Sequence, residues 1–581
     1  MPYFTPLPTR DERCFTRPPA EAPVLIVGAG PAGLFAAYLL AKQALRTVIV
    51  ERHTVRLGQP KAHAINPRSL EIFRQCGLDT QKLRALGSSA EDAFWVRFMC
   101  GLRGTALGAL PYERQDEAVK QLTPEPLFNI PQPVLESFLQ EAALETGLVT
   151  IHRGWKWEEA SSDARGWKLS LVRSVAEPKD SLEIASMFII AADGVESTVR
   201  AKSPSIHWDF PAGALTQKNF YCSIHAHGNI RPVISSTGNF AQLYFCVHPE
   251  HRSGLIVYDL SGSWVHTRAI DPETEDVKAF TEEKCRQLID ECLGPGVDYT
   301  VQSANMWYTW PRVASAYHTD DLRTFLTGDA AHAFPPQGGL GVNTGLADVH
   351  NLVWKLGYVI DGKVPNPQAF LKSYTLERKP VAMANALQSA TNEKKWKDFI
   401  ALSGDLVTAS AEYEKGAHEF FQEQHVKEAL DGSIAENCKP HFDSLGLQLG
   451  YVYEESMATE PPRECWDYTP SSRHGARLPH AWTDSNSSTL DFIPYNNFCL
   501  IHAGGPFKQR QYQVEGSTVE VEIVDIAGKA ELSGWVDLIR LYKDTAILVR
   551  PDQHILGHVN SDGHVQALLQ GYFCGGKRAG S

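Results

Sequence analysis

The chain of 581 residues lacks the features of several specialised protein classes. It has no run or stripe rich in Lys and Arg, and its 55 basic against 68 acidic residues give a net charge of −13, so nucleic acid and anionic membranes are poor partners. Its 44 glycines and 35 prolines are ordinary numbers, and 43% of its residues are hydrophobic, which excludes disordered and collagen-like chains. The composition therefore predicts a folded protein of about three domains.

Zinc motifs, redox cysteine pairs and membrane spans are also missing from the sequence. The eleven cysteines are scattered, with no CxxC pair and no Cys/His spacing suited to zinc, so we expect free thiols and no metal site. One uncharged run, residues 22–41, is broken by Gly28 and Pro31, and it therefore predicts a strand, a turn and a helix rather than a membrane span. Residues 1–21 have neither the basic start nor the apolar stretch of a signal peptide. We expect a soluble, cytoplasmic protein.

The first motif that is present is a GAGPAG run. The pattern around it predicts a strand at 23–27, a helix at 34–45 and a second strand at 46–51. Its glycines, Gly28, Gly30 and Gly33, permit a tight turn, the close approach of a pyrophosphate and the packing of helix on strand. Glu51 ends the second strand, 18 residues beyond Gly33, where an acidic residue binds a ribose hydroxyl. The motif predicts a dinucleotide site and leaves FAD and NAD(P) as alternatives.

Two adjacent segments indicate a further part of such a site. The run TGDAAH closes a predicted strand, and the run PPQGGLGVN leads into a predicted helix. Asp329, at the strand end, can accept hydrogen bonds from a sugar-like chain, and a Gly-rich helix start offers N–H donors to an electron-rich oxygen. Taken alone, these residues predict a site for an anion or a polyol.

In the rest of the chain, the pattern of apolar and polar residues changes in a way that indicates one domain inserted into another. Short alternating runs between 205 and 320 favour an antiparallel sheet, whereas the stretches on either side favour α/β structure. Residues 365–430 are charged and helical in pattern, and the tail beyond them mixes β-rich runs with Gly and Pro turns. The predicted parts are an N-terminal tail, 1–21; a split α/β domain, 22–204 and 321–400; an inserted domain, 205–320; a helical connector, 401–440; and a C-terminal domain, 441–581.

Four motifs in this order resemble those of the flavoprotein aromatic hydroxylases of the p-hydroxybenzoate hydroxylase type, especially the phenol hydroxylase and dichlorophenol monooxygenase branch. They are GAGPAG with Glu51; Ala192-Asp193-Gly194 followed by Ser197 and Arg200; Gly328-Asp329 with PPQGGLGVN; and the run KAHAINPRSLE from Lys61 to Glu71. The resemblance is strong over residues 22–385 and extends to tail runs at 441–451 and 475–480. It implies an α/β Rossmann-type FAD-binding domain interrupted by an α+β substrate domain with an antiparallel sheet, plus a thioredoxin-like C-terminal domain. Since the tail has no CxxC, we expect that domain to be structural or dimer-forming.

The resemblance also implies which residues hold FAD. They are the glycines Gly28, Gly30 and Gly33; Glu51 at the adenosine ribose, with Arg52 beside it; Gln132, facing the cofactor; Asp193, shared with the nicotinamide donor; Asp329 at the ribityl chain; and the backbone N–H groups of Gly341, Val342 and Asn343 at the flavin pyrimidine. For Gln132 and Asp193, roles as cap or turn residues are the alternative.

The implied reaction uses NADPH or NADH, which visits transiently and reduces FAD, and O2, which forms a flavin C4a-hydroperoxide that transfers its distal oxygen to an electron-rich carbon. A phenol attacks better as phenolate, so an acid/base group is needed beside its hydroxyl. His63 stands where the phenol hydroxylases carry an Asp, and its imidazole either takes that proton or merely bonds to backbone or flavin. Pro336 is expected to present its carbonyl to the substrate pocket. Tyr221 and Tyr244 either line that pocket or pack within the inserted domain.

The sequence thus favours an FAD-dependent, NAD(P)H-consuming monooxygenase that hydroxylates a phenolic or polycyclic aromatic metabolite. Baeyer–Villiger insertion, epoxidation or rearrangement with the same cofactor is one alternative, and a non-catalytic FAD-binding protein is another. We expect a small aromatic substrate, a homodimer, and neither nucleic acid nor membrane as a partner.

Overall fold

The computed structural model describes residues 14, 16–55, 58, 61–212, 218–275, 280–414, 416–453 and 464–574. Most of the predicted N-terminal tail, 1–21, lies outside these ranges. Within them, no helix is both long and apolar enough to cross a membrane. Three sheets with five or more strands organise the described chain.

The first sheet is mostly parallel and carries the GAGPAG turn. Its strands, in spatial order, are Val149–Arg153, Thr47–Glu51, Glu21–Val27, Ser181–Ala191, Lys168–Ser174 and Trp155–Ser162, and Thr324–Leu326 also pairs with Ser181–Ala191. Uninterrupted apolar runs such as VLIV suit parallel strands that are buried on both faces. Helix Pro31–Lys42 packs on these strands and on helices Gln132–Glu145 and Leu340–Ile360. The predicted strand, helix and strand are confirmed, with the helix beginning at Pro31 because proline suits the first helical position.

The second sheet is mainly antiparallel. Its strands, in spatial order, are Tyr299–Thr309, Asn219–Gly228, Ser263–Ile270, Ser253–Val257, Leu243–Cys246, Trp95–Met99 and Ala106–Pro111. The last two strands come from a segment that the sequence assigned to the first domain. The sequence of such a short strand does not indicate which sheet it will join. The predicted inserted domain, 205–320, therefore leaves these two strands out.

A long helix, Pro367–Ala411, lies against the inner face of this second sheet. The predicted boundary between residues 400 and 401 falls inside it, because its charged surface pattern continues without a break. The chain then continues through Ala417–Phe420, Gln424–Ser433, a π-helical turn at Ile434–Cys438, Lys439–Phe442 and Leu445–Leu449. Helix Glu282–Leu293 packs on the outer face of the sheet.

The C-terminal part has its own five-stranded mixed sheet. The strands, in spatial order, are Gln511–Val514, Ser517–Asp525, Phe498–His502, Ala546–Val549 and Ile555–Val559, and the helices are Ser533–Leu538 and Asp562–Cys574. The central strand pairs in parallel with Ser517–Asp525 and antiparallel with Ala546–Val549.

Short elements complete the described chain. They are the strand pair Ala64–Ile65 and Phe128–Asn129; the three strands Trp208–Asp209, Arg312–Ala314 and His332–Ala333; the helices Pro67–Gln75, Thr80–Arg84, Ala90–Ala93, Thr198–Ala201 and Arg231–Thr237; and the 3-10 turns Glu117–Gln121, Gly328–Ala330, Thr489–Phe492 and Ala530–Leu532.

A buried charge seam joins the C-terminal part to the helices of the first domain. Its members are Glu71, Lys355, Glu377, Arg477, Arg550 and Asp552, each with at most 8% of its surface exposed. Arg550 donates to both Glu377 and Asp552, and Arg477 donates to Glu71. Since removal of one member would leave a buried partner uncompensated, the seam makes the two parts depend on each other.

Candidate active site

Two glycines of the GAGPAG turn, Gly28 and Gly33, are closely packed against backbone, whereas the third, Gly30, faces open space. Gly28 has φ +104°, and a Cβ on it would collide with the carbonyl oxygen of Ala192. A Cβ on Gly33 would collide with the carbonyl oxygen of Gly28, whereas one on Gly30 meets nothing within 4 Å. Gly30 is also the N-cap of helix Pro31–Lys42 and provides no capping side chain. The turn therefore leaves room for an anion at an uncapped helix start.

Glu51 lies directly against this turn. Its Oε2 accepts a hydrogen bond from the backbone N–H of Ala29 at 2.9 Å, and its Oε1 accepts from the N–H of His53 at 2.8 Å. Arg52, next in sequence, is exposed, and its Nε contacts the His53 ring at 3.2 Å. The carboxylate of Glu51 is thus fixed where the sequence predicted a ribose partner.

Asp329 lies in the 3-10 turn Gly328–Ala330, which follows strand Thr324–Leu326. Its side chain is exposed, and desolvation by the protein around it raises its pKa. Lys61, which begins the KAHAINPRSLE segment, and His332 both act on its carboxylate and lower that pKa. The turn, the segment and His332 are therefore neighbours.

Helix Leu340–Ile360 packs against the turn that carries Asp329. Its N-cap is Gly339, with φ +61° and no side-chain cap, so the first backbone N–H groups are free to bind an acceptor. Gly341 and Val342, in the first turn, are half-buried. These N–H groups and the positive end of the helix dipole suit an electron-rich oxygen.

Asn343 uses its side chain to hold neighbouring segments together. Its Oδ1 accepts hydrogen bonds from the N–H of Asn66 at 3.0 Å and from the hydroxyl of Ser69 at 2.8 Å. Its Nδ2 donates to the carbonyls of Ala64 and Gly339. The side chain is therefore structural, and only the backbone N–H of Asn343 corresponds to the predicted flavin contact.

Sequence reasoning missed a buried group behind the Asp329 turn. His332 Nε2 lies 2.7 Å from Oδ2 of Asp348, and the N–H of Gly328 donates to the same oxygen at 3.3 Å. Arg378 Nε donates to Oδ1 of Asp348 at 2.8 Å. The His in TGDAAH was a visible signal, but its partners lie 16 and 46 residues further along the chain.

Asp193 lies where the first sheet meets the Thr198–Ala201 turn. Its Oδ2 accepts from the N–H of Val199 at 3.2 Å, while its Oδ1 has no hydrogen-bond partner among the described residues. Desolvation raises the pKa of this carboxyl. Arg200 donates to the carbonyls of Val195 and Ala330 and so ties this turn to the Asp329 turn. Asp193 thus combines a capping contact with one free oxygen.

Gln132 is fully engaged within the protein. Its backbone N–H donates to the carbonyl of Ala62 at 2.9 Å, and its Oε1 accepts from the N–H of Ala62 at 3.2 Å. Its Nε2 donates to Glu136 at 2.8 Å. Gln132 therefore fixes the segment before His63, and its predicted contact with the cofactor stays a prediction.

His63 lines the interior beside that segment. Its Nδ1 lies 3.0 Å from Oδ1 of Asn129, so Nδ1 carries the proton and Nε2 is the free acceptor. Its ring lies 5.8 Å from the ring of Tyr112 and 5.9 Å from that of Tyr258. Desolvation lowers the pKa of His63 to about 4. The imidazole is therefore neutral at pH 7 and a weak base.

Pro336 and Tyr221 lie on facing parts of the structure. Pro336 is exposed, and its carbonyl accepts the N–H of Gly339 at 3.0 Å, which leaves the second lone pair free. Gln337, the next residue, donates from Nε2 to the hydroxyl of Tyr221 at 3.4 Å. The structure thus brings one predicted tyrosine to the loop that precedes helix Leu340–Ile360.

Of the two roles left open for Tyr244, lining the substrate pocket or packing within the inserted domain, the structure shows packing. Tyr244 is fully buried in the cluster between the second sheet and helix Glu282–Leu293, on the sheet face that points away from the first domain. Side chains alternate between the two faces of a strand, and the sequence does not say which alternate set of residues faces inward. The side chain of Tyr221 lies on the inner face of the sheet, and that of Tyr244 lies on the outer face.

Five aromatic side chains between the inner face of the second sheet and the helices that pack on it form what we call the aromatic wall. They are Phe98, Tyr112, Phe245, Trp396 and Phe442. The rings of Phe245 and Trp396 are 4.5 Å apart and only half-buried, so part of each faces open space. The wall reaches His63 through Tyr112. The sequence missed it because its members come from four distant segments.

A dinucleotide with a polyol chain fits the features described above. They are the open space at Gly30, the uncapped N–H groups at two helix starts, and the carboxylates of Glu51 and Asp329. FAD has this combination of pyrophosphate, ribose and ribityl groups, so the described residues fit the cofactor that the motifs imply.

Comparisons with known proteins agree with this geometry. A family model described as an FAD binding domain matches residues 21–389. The FAD-dependent monooxygenase apdD of Emericella nidulans is 27% identical over 93% of this chain and 87% of its own length. The 2,4-dichlorophenol 6-monooxygenase of Cupriavidus pinatubonensis is 25% identical, and the match covers 92% of this chain and 92% of that protein. The crystal structure of the flavin-dependent monooxygenase PieE with FAD and substrate has a TM-score of 0.81 at 25% identity, covering 97% of this chain and 100% of its own.

Proposed function

Because the chain belongs to the FAD binding domain family and is an FAD-dependent monooxygenase, we propose that it hydroxylates a phenol or a polycyclic aromatic compound. The observation that carries this proposal is the aromatic wall, which reaches His63 through Tyr112. Its two half-buried rings, Phe245 and Trp396, suit a flat aromatic ligand. Relatives named for dichlorophenol and for tetracenomycin substrates support the same class.

Bound FAD supplies the redox chemistry, taking electrons from NADPH or NADH and activating O2. Gly30 would hold its pyrophosphate, Glu51 an adenosine ribose hydroxyl and Asp329 its ribityl chain. The backbone N–H groups of residues 341–343 would bind its pyrimidine, where the helix dipole would stabilise negative charge. Arg52, Gln132 and Asp193 remain predicted neighbours of the cofactor.

The residues of the aromatic wall position the substrate ring and exclude water from it. The carbonyl of Pro336 has a free lone pair and can accept a hydrogen bond from a ring hydroxyl. The neutral imidazole of His63 offers Nε2 as an acceptor as well. Its low pKa makes it better suited to orient a hydroxyl than to remove its proton.

The C-terminal part is proposed to be a thioredoxin-like domain without redox function. A parallel strand pair, an antiparallel pair and a closing helix support that assignment, and the absence of CxxC from the sequence argues against a redox role. Dimer formation and a cytoplasmic location stay predictions, and sedimentation velocity tests the first.

The experiment measures NADPH and NADH oxidation by the FAD-loaded protein with a panel of phenols and fused aromatic compounds. We expect at least one compound to accelerate the oxidation and to yield a product heavier by one oxygen atom. Oxidation that no aromatic compound accelerates, or a product carrying the oxygen in an ester or epoxide, would overturn the proposed hydroxylation.

A further inference from the structure

Glu393 is a buried carboxylate next to the proposed substrate site. It lies on helix Pro367–Ala411 with 1% of its surface exposed. Its Oε1 accepts the hydroxyl of Tyr221 at 2.9 Å and that of Thr309 at 3.5 Å. Its Oε2 makes no hydrogen bond of normal geometry among the described residues, although the amide of Asn219 is close enough to lower the pKa of the carboxyl. A buried carboxylate with an oxygen that lacks such a bond is costly to keep, which points to a functional role.

The position of Glu393 connects it to both sides of the site. It lies one helical turn before Trp396, so the two residues share a helix face and Glu393 borders the aromatic wall. Its neighbour Asn392 approaches the Pro336 loop, where a Cβ on Gly338 would lie 3.2 Å from Asn392 Nδ2. Glu393 therefore lies between the wall and the loop.

Tyr221 is held so that it can pass a proton to Glu393. Its ring stacks on Trp307 with centroids 4.7 Å apart and an angle of 20° between planes. Its hydroxyl donates to Glu393 and accepts a long hydrogen bond from Gln337 at 3.4 Å. Tyr221 is half-buried, so part of its side chain is accessible, and desolvation raises the pKa of its hydroxyl.

The residue predicted from sequence for proton removal is poorly placed for it. His63 has Nδ1 committed to Asn129, and its surroundings disfavour the imidazolium. Burial acts in the opposite direction on Glu393, where desolvation raises the pKa and makes the carboxylate a stronger base. The site therefore contains a better proton acceptor than His63.

We propose that Glu393, acting through Tyr221, accepts the proton of a ring hydroxyl on the substrate. This inference rests on the proposed hydroxylase function. The O–H bond of the substrate breaks and its proton goes to Tyr221, while the hydroxyl proton of Tyr221 goes to Glu393. The products are a phenolate and a neutral carboxylic acid, so one negative charge is present before and after the step.

The same geometry defines a substrate class. A buried carboxylate at the site disfavours a second carboxylate on the ligand, and Lys397, the lysine that acts on Glu393, is exposed and donates to Asn219. The substrate is therefore an electrically neutral aromatic compound with a free hydroxyl, in preference to an aromatic acid.

The experiment compares Glu393→Gln with the wild type on two phenols. One keeps its hydroxyl protonated at the assay pH, and the other, made acidic by nitro or halogen groups, is already ionised. We expect Glu393→Gln to lower kcat about a hundredfold for the first phenol and to leave kcat for the second close to that of the wild type. Asp398→Asn, at an exposed position of the same helix, is the control and should affect neither.

Each other outcome overturns the inference. Equal loss on both phenols would indicate a merely structural role for Glu393, and unchanged kcat on both would remove any role. If Glu393→Gln fails to retain FAD, Tyr221→Phe decides, since it should show the same rescue by the ionised phenol. If the wild type hydroxylates phenols but the variants do not lose activity selectively on the protonated phenol, only the role of Glu393 is refuted. If the wild type hydroxylates no phenol, both proposals are refuted.

Discussion

The carboxylate of Asp348 and the imidazole of His332 lie 2.7 Å apart, and both side chains are completely buried. The same carboxylate receives the N–H of Gly328 and the guanidinium of Arg378. This arrangement holds the turn that carries Asp329 against helix Leu340–Ile360, whose first N–H groups have no side-chain cap. Two of the proposed FAD contacts therefore depend on one buried anion.

Asp348→Asn should destabilise the protein and weaken FAD binding together. The change leaves the buried guanidinium of Arg378 without its charge partner, which costs about 3 to 5 kcal/mol. Urea unfolding and the flavin absorbance of the purified variant measure the two effects. Asp361→Asn, at an exposed ion pair after the same helix, is the matched control and should change stability by less than about 0.5 kcal/mol. A stable variant with full FAD content would show that Asp348 does not support the site.

The three glycines of the GAGPAG turn should behave differently when changed to alanine. Gly28→Ala and Gly33→Ala force contacts with backbone carbonyls and should lower the stability of the FAD-free protein by about 1 to 3 kcal/mol. Gly30→Ala has room in the protein alone, so its stability should stay close to wild type. It fills the space proposed for the pyrophosphate, and FAD affinity should fall about tenfold or more. Thermal unfolding without FAD and FAD titration separate these effects. Undiminished FAD affinity in Gly30→Ala would place the pyrophosphate elsewhere.

Glu377→Gln tests the buried charge seam. Lys355 would lose its charged partner and Arg550 would lose one of two, the other being Asp552, so the free energy of unfolding should fall by about 3 to 5 kcal/mol. Glu522→Gln removes an exposed pair with Arg510 in the same C-terminal part and should cost at most about 1 kcal/mol. Urea denaturation measures both. If both variants lose similarly little free energy of unfolding, the seam contributes little to the packing of the C-terminal part on the first domain.

Glu113 should make stability depend on pH. It is buried, it accepts hydrogen bonds from Ser444 and Gln448, and desolvation, with Asp443 nearby, raises its pKa from about 4.5 to about 7. A carboxyl whose pKa is higher in the folded state stabilises the fold at low pH, and this contribution is lost as pH rises from 4.5 to 7. Relative to Glu113→Gln, the wild type should lose about 2 to 3 kcal/mol between pH 5 and pH 8.

Chemical denaturation across that pH range provides the measurement. Glu117→Gln, at an exposed position nearby, should track the wild type at every pH. Parallel stability curves for the wild type and Glu113→Gln would contradict the assignment to Glu113.

Tyr221→Phe and Tyr244→Phe form a matched pair on opposite faces of one sheet. The first removes the hydrogen bond to Glu393 and should lower kcat on a protonated phenol about a hundredfold. The second removes a buried hydroxyl without a hydrogen-bond partner among the described residues, so neither kcat nor stability should fall appreciably. Steady-state kinetics on one phenol compares the two. Equal losses in both variants would mean that the sheet face does not decide function.

The local motifs could be predicted from sequence because their physics is local. Gly28 and Gly33 are required by contacts within one strand–turn–helix unit, and Glu51 follows from the length of that unit. Burial of the parallel strands on both faces left a continuous apolar signal. The order of the motifs then fixed the family resemblance.

Contacts between distant segments could not be predicted. Tyr221 and Glu393 are 172 residues apart, and nothing in either segment indicates the other. The difference between Tyr221 and Tyr244 depends on which parity of each strand faces inward, which is set by packing across the sheet. Strands Trp95–Met99 and Ala106–Pro111 joined the second sheet for the same kind of reason.

The most direct test of aromatic hydroxylation is mass spectrometry of the product formed under 18O2 with NAD(P)H and a phenol that accelerates its oxidation. The proposed function predicts one 18O atom in a new ring hydroxyl. Incorporation into an ester or an epoxide, or NAD(P)H oxidation without any labelled product, would contradict it.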